Sequence, residues 1–86
     1  MAKFNPFEPV LSGKATAFLF SLSKARQRKV IDLINTLARH PTQLGDYATT
    51  DDLGREIQFL MVGDLVLGFW PDHAAKELRI TEIDEV

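Results

Sequence analysis

Apolar and polar residues alternate with two different periods along this chain, and the change between them falls at His40-Pro41. Before it, Val30, Ile31, Leu33, Ile34, Leu37 and Ala38 form one broad arc at helical spacing, with Arg28, Asp32, Asn35, Thr36 and Arg39 opposite. That spacing predicts an amphipathic helix over about Lys24 to His40. Ser23 is its N-cap candidate, although Arg26 stands where a capping box would place Glu or Gln. Pro41 ends the helix by disfavouring helical geometry at His40, and Arg39 lies at the negative end of the helix dipole. Upstream, Lys14 to Leu22 repeats the helical spacing with small residues suited to close packing, and Ser12-Gly13 separates it from Lys3 to Leu11. Pro6 and Pro9 in that first stretch remove ladder donors, which confines any strand there to a sheet edge.

Beyond Pro41 the period shortens to two. Residues 41–53 are polar and read as a connection, long enough for a binding or mobile loop. Arg55 to Val62 then alternates, with Arg55, Ile57, Phe59 and Met61 on one face and Glu56, Gln58, Leu60 and Val62 on the other. Gly63-Asp64 suits a type II′ hairpin turn, and Leu65 to Trp70 is apolar on both faces, as a central strand would be. Glu77 to Ile83 starts with Leu78 and Ile80 on one face and carries Ile83 on the other, so a bulge is expected near Thr81. The turns Gly63-Asp64 and Pro71-Asp72-His73 are too short for the crossovers that parallel neighbours need, so these three strands form an antiparallel meander. The fold class expected is α+β: an N-terminal edge strand and a two-helix hairpin packed, through Val30, Ile34 and Leu37, on an antiparallel sheet of three to four strands.

Composition narrows this picture. A chain of 86 residues is expected to make a single domain over 1–86. At that size about 60 to 65% of the unfolded surface becomes buried. There is no cysteine, which excludes disulfides and thiolate metal centres, so apolar packing must hold the fold. The net charge of −2 hides a division: residues 1–40 hold seven Lys/Arg against Glu8 and Asp32, a balance of +5, and residues 41–86 hold three against ten Asp/Glu, a balance of −7. A basic half can meet phosphates or an acidic partner, whereas an acidic sheet repels RNA. The first residues lack the continuous apolar run of a secretion signal and no stretch suits a membrane span, so a soluble cytoplasmic protein is expected.

Candidate chemistry is sparse. There is no P-loop, dinucleotide fingerprint or metal motif, and no cofactor is expected. His40 and His73 fall in different loops without the spacing of a metal site, and Ser12, Ser21 and Ser23 stand where serine caps helices. Arg55 is the one candidate for phosphate chemistry; the commoner fate of an arginine at a strand start is an ion pair, here with Asp51 or Asp52. Lys24, Arg28 and Lys29, with Arg26, form a basic cluster suited to an acidic partner. Leu60 and Trp70 supply apolar contact and Arg79 a further cation for such an interface. Each of these has an ordinary structural role to set beside it, solvated helix face for the cations and core for Leu60 and Trp70.

The runs KVIDLINTLARHPTQLGDY, GREIQFLMVGDLVLGFWPD and ELRITEID together resemble the RelE/ParE superfamily of type II toxin-antitoxin toxins, over roughly Leu11 to Ile83. The points of likeness are Leu37 and Pro41 at the end of helix two, the Val62-Gly63-Asp64 turn, and the aromatic strand end Phe69-Trp70. The resemblance implies a strand, two helices and a three-stranded meander whose concave face meets targets, and a cognate antitoxin as partner. RelE-type members cleave ribosome-bound mRNA with basic residues on the second and third strands and a basic, tyrosine-containing tail. Carried over residue by residue, the second-strand positions hold Arg55, Glu56 and Gln58, the third-strand arginine position holds Val66 or Leu67, and Asp84-Glu85-Val86 stands where that tail begins. A cleaving site would need Arg55, Lys76 and Arg79 to converge. ParE-like members inhibit DNA gyrase without that set, so the departures point to a toxin that binds a macromolecular target, DNA gyrase ahead of the ribosome. The alternatives are an endoribonuclease with an atypical site and a non-toxic interaction domain.

Overall fold

The computed structural model describes residues 6–86. Its elements are β1 (Glu8–Leu11), α1 (Gly13–Ser21), α2 (Lys24–Arg39), β2 (Tyr47–Thr50), β3 (Glu56–Val62), β4 (Leu65–Asp72) and β5 (Glu77–Glu85), with the strands in one sheet of order β1-β5-β4-β3-β2. The expected α+β class holds, but the sheet has five strands rather than three or four.

Both helices start as their sequences dictate. Ser12 caps α1 by accepting from the Ala15 amide at 3.0 Å, and Ser23 caps α2 by accepting from the Arg26 amide at 3.3 Å. The Ser12 hydroxyl also donates to the Thr81 carbonyl of β5 at 2.9 Å, which ties the helical hairpin to the sheet. Val30, Ile34, Leu37 and Ala38 of α2 and Ala15 and Leu19 of α1 pack on Leu65, Leu67, Phe69, Leu78, Ile80 and Ile83. Ile31 departs from the expected arc: it is 43% exposed on the outer side of α2.

β3, β4 and β5 form the antiparallel meander, with Leu60 opposite Leu67 and Leu67 opposite Ile83. Gly63, at φ 60°, supplies the positive φ that the first turn position requires. The register shifts between Gly68 and Phe69, which oppose Glu82 and Ile80, so Thr81 is the extra residue of the expected bulge. That shift is why Leu78, Ile80 and Ile83 all reach the core although their spacing is not strictly even. β4 runs on through Pro71, which pairs with Leu78, because the last β3 partner is Gln58 opposite Phe69 and no donor is needed beyond it.

Two features correct the sequence reading. β1 pairs parallel with β5, Glu8 opposite Glu77 and Leu11 opposite Ile80, because the helical hairpin returns the chain in the right sense. The expected edge strand began at Lys3; Lys3, Phe4 and Asn5 lie outside the described residues. The polar stretch 41–53 is not a free loop, for it contains β2, paired antiparallel with β3. It is also pinned ahead of that strand: the Gly45 amide donates to Gln58 Oε1 at 2.8 Å, the Asp46 amide donates to the Phe59 carbonyl at 2.7 Å, and Asp46 Oδ2 accepts from the Met61 amide at 2.7 Å. Among the described residues no helix is long and apolar enough to cross a membrane.

Candidate functional site

The helices cover one face of the sheet, and strand alternation sends Ile57, Phe59, Met61, Val66, Trp70 and Arg79 to the other. This open face is partly self-covered. Tyr47 stacks on Phe59 with centroids 5.0 Å apart, and Gly68 lies directly beneath the Phe59 ring, where a Cβ would come within 2.8 Å of it.

At the β1 side of this face three of the expected residues converge. Trp70 and Arg79 oppose each other on β4 and β5, and the Arg55 guanidinium lies 4.5 Å from the centroid of the Trp70 ring. With Val10, Ser12 and Thr81 they line a hollow of about 220 Å³. Arg55 is positioned by its own turn: Asp51 Oδ1 accepts from the Leu53 and Arg55 amides, both at 2.9 Å, and Asp51 Oδ2 accepts from Arg55 Nε at 2.8 Å. The backbone bond from Arg55, ahead of the bond and charge of its side chain, holds the Asp51 carboxyl below its ordinary value against the opposing effect of desolvation.

Arg79 is held between two carboxylates, Nη2 at 2.8 Å from Glu77 Oε1 and Nε at 3.6 Å from Asp72 Oδ2. Neither contact has hydrogen-bond alignment, and Arg79 Nε and Glu77 Oε1 are both buried, so the charges are balanced by proximity. Each arginine of the hollow therefore already has acidic partners, and Glu82 and Asp84 share the same sheet face. An incoming phosphate must compete with all of these. Lys76, the third cation a cleaving site requires, is elsewhere, its ammonium 5.7 Å from the centroid of Phe7 in the β4–β5 turn. His73 packs edge-on against Phe7 at 5.3 Å, and neither histidine lines the hollow. The hollow thus sets the Trp70 ring beside two arginines that already hold carboxylates.

No family model matches the sequence and no curated protein matches it. The solved structures do. The chain superposes on a chain of the RelBE2 toxin-antitoxin complex of Mycobacterium tuberculosis with a TM-score of 0.77 at 18% identity, covering 95% of this chain and 100% of that one. A second match is the archaeal RelE-RelB complex of Pyrococcus horikoshii OT3, with a TM-score of 0.74 at 14% identity, covering 94% of this chain and 96% of that one.

The chain has the RelE fold. On this RelE fold the remaining expected residues separate. Lys24 and Arg28 stand with Gln27 and Ile31 on the outer side of α2, while Lys29 faces the rim between α2 and the β3–β4 hairpin. Leu60 is half-buried under the helices against the core and presents little surface. What sequence reasoning missed is the pair of acids around Arg79: Asp72 and Glu77 come together only because the register sets them opposite each other. No group of three or more His, Asp or Glu side chains suited to a metal ion occurs among the described residues.

Proposed function

We propose that this chain is the toxin of a toxin-antitoxin pair, acting by binding a macromolecular target in the ParE-like manner and neutralised by a cognate antitoxin. The observation that carries the reading is the end-to-end likeness to RelE-fold chains solved in toxin-antitoxin complexes. Target binding is favoured over mRNA cleavage because Arg55 and Arg79 are both already engaged by carboxylates and Lys76 is withdrawn. The convergence of Arg55, Trp70 and Arg79 is the one feature that favours the endonuclease reading, and the test separates the two.

Inducible expression of the chain alone is expected to arrest growth, and purified protein is expected to inhibit supercoiling by DNA gyrase while leaving translated mRNA intact. Each absent catalytic cation typically removes orders of magnitude in rate. Cleavage of ribosome-bound mRNA that disappears in Arg55→Ala would replace this reading by the endonuclease one. Growth unaffected by high expression would leave the non-toxic interaction domain.

A further inference from the structure

The charge division of the sequence becomes, in the folded domain, a division between two faces. On α2, Lys24, Gln27, Arg28 and Ile31 line one shallow hollow, at the spacing of a single helical stripe beside the buried row Val30, Ile34 and Leu37. Lys24 and Arg28 are exposed, and neither has an ion-pair partner among the described residues. Asp32, the one acid of α2, forms no pair with Arg28. Two exposed apolar side chains border these cations. Ile31 is 43% exposed, and Phe20 is 72% exposed near the end of α1, where its carbonyl accepts from Gln27 Nε2 at 3.5 Å.

The open face of the sheet carries the complement. Glu82 and Asp84 stand opposite Gly68 and Val66 on the side of β5 away from the buried Ile83. Asp84 Oδ1 accepts from the Glu85 amide at 2.8 Å, but neither carboxylate has an ion-pair partner among the described residues. Met61, 41% exposed, lies across β4 from them, opposite Val66. Arg55 and Arg79 of this face already hold other carboxylates. The spacings agree as well as the signs. Lys24 and Arg28, one helical turn apart, have Cβ atoms about 5 to 6 Å apart. Glu82 and Asp84, two residues apart on a strand, are separated by about 7 Å.

We infer that the chain associates head to tail with further copies of itself, the Lys24–Arg28 stripe of one copy lying on Glu82 and Asp84 of the next, with Phe20 and Ile31 against Met61 and Val66. The occupant is a second copy because this one chain carries both halves of the contact. Such a contact is heterologous: each copy offers a different face to each neighbour, so the contact repeats into a row or ring instead of closing as a two-fold dimer. It rests on charge and spacing and not on the toxin reading above.

The test is sedimentation velocity of the full chain from about 10 μM to about 1 mM, the range in which contacts made by a few exposed charges register. At about 0.01 M salt, where charges act over about 30 Å, the wild type is expected to grow past the dimer, to more than twice the 9.7 kDa of one chain. At about 1 M salt, where that reach falls to about 3 Å, it is expected to return to monomer. Lys24→Glu with Arg28→Glu, and separately Glu82→Lys with Asp84→Lys, should each weaken association roughly tenfold or more. Circular dichroism checks that each remains folded; a pair that unfolds is replaced by Lys24→Gln with Arg28→Gln or by Glu82→Gln with Asp84→Asn, which should also weaken association. All four reversals in one chain should restore association, because both faces are then inverted together. A wild type that stays monomeric at low salt, growth that stops at a dimer, association indifferent to either pair of reversals, or a folded fourfold variant that stays monomeric would each overturn the inference. So would capture of single-stranded RNA or anionic lipid vesicles by the Lys24–Arg28 stripe in preference to another copy.

Discussion

Gly45 offers a steric test of the way residues 41–50 are fastened to the sheet. A Cβ placed on Gly45 would lie 2.3 Å from the Phe59 carbonyl oxygen, 2.6 Å from its carbonyl carbon and 2.8 Å from its amide nitrogen. All three are backbone atoms in the paired part of β3, so no side-chain rotation relieves the overlap. The Gly45 segment must lift away, and in doing so it breaks the Gly45 amide bond to Gln58 Oε1, a side chain that is only 8% exposed. Overpacking of this kind costs about 1 to 3 kcal/mol, and an unsatisfied buried polar group costs about 1 to 3 more. Gly45→Ala should therefore lose roughly 2 to 6 kcal/mol, or at least about 8 °C in Tm for a domain of this size. If undocking is local, the loss is confined to residues 41–50. The assay is urea unfolding followed by circular dichroism, together with amide exchange resolved at Tyr47 to Thr50, which should lose protection before the β4 and β5 amides. Gly13→Ala is the control: nothing lies within 4 Å of its added Cβ, so its stability should stay level or rise by up to about 1 kcal/mol. Equal stability of Gly45→Ala and wild type, within about 0.5 kcal/mol, would refute the clamp.

Two further predictions test the core and the arginine turn. Ile34→Ala removes a side chain that is 3% exposed between α2 and the sheet and should cost about 2 to 5 kcal/mol, a large share of the roughly 4 to 13 kcal/mol expected for a chain this long; a loss below about 1 kcal/mol in urea would mean the site collapses around the gap. Asp51 has its carboxyl lowered from 3.8 by the Arg55 bonds, so the stability it contributes is present above that value and is lost as pH falls through the lower folded value. Acid titrations of wild type and Asp51→Asn should converge at the acid end, and a constant gap between them down to the lowest pH would contradict the linkage.

The helices and the meander were legible because each carries a strong period: the α2 arc, the alternation of β3, and the misphased Leu78, Ile80 and Ile83 that announced the bulge. β2 was not, since Tyr47, Ala48, Thr49 and Thr50 are all exposed and show no apolar alternation to mark a buried face. Its existence depends on pairing with β3 and on the Gly45–Gln58 contact, neither of which leaves a local pattern. Gln58 stood in the alternation beside Glu56, Leu60 and Val62 with no local sign of its role, whereas it is a buried bracket for the preceding segment. Of the site, the Arg55 pair with Asp51 was legible because both lie within one turn. The meeting of Arg55, Trp70 and Arg79, and the acids around Arg79, depend on strand register and could not be read from spacing.

The parallel pairing of β1 with β5 sets a schedule for the making of this protein. Ser12 is bonded to Thr81 across 69 residues, and β5 lies inside the sheet between β1 and β4 although it is the last of the five strands to be translated. A nascent chain that lacks β5 has no partner for β1 and no seat for Ile80 or Ile83 in the core. The helices can form as they emerge, but the sheet can close only after the final strand is free, and such non-local closure is intrinsically slow. A growing polypeptide of this sequence thus carries its helices and first strands as an unfinished sheet until its last strand arrives.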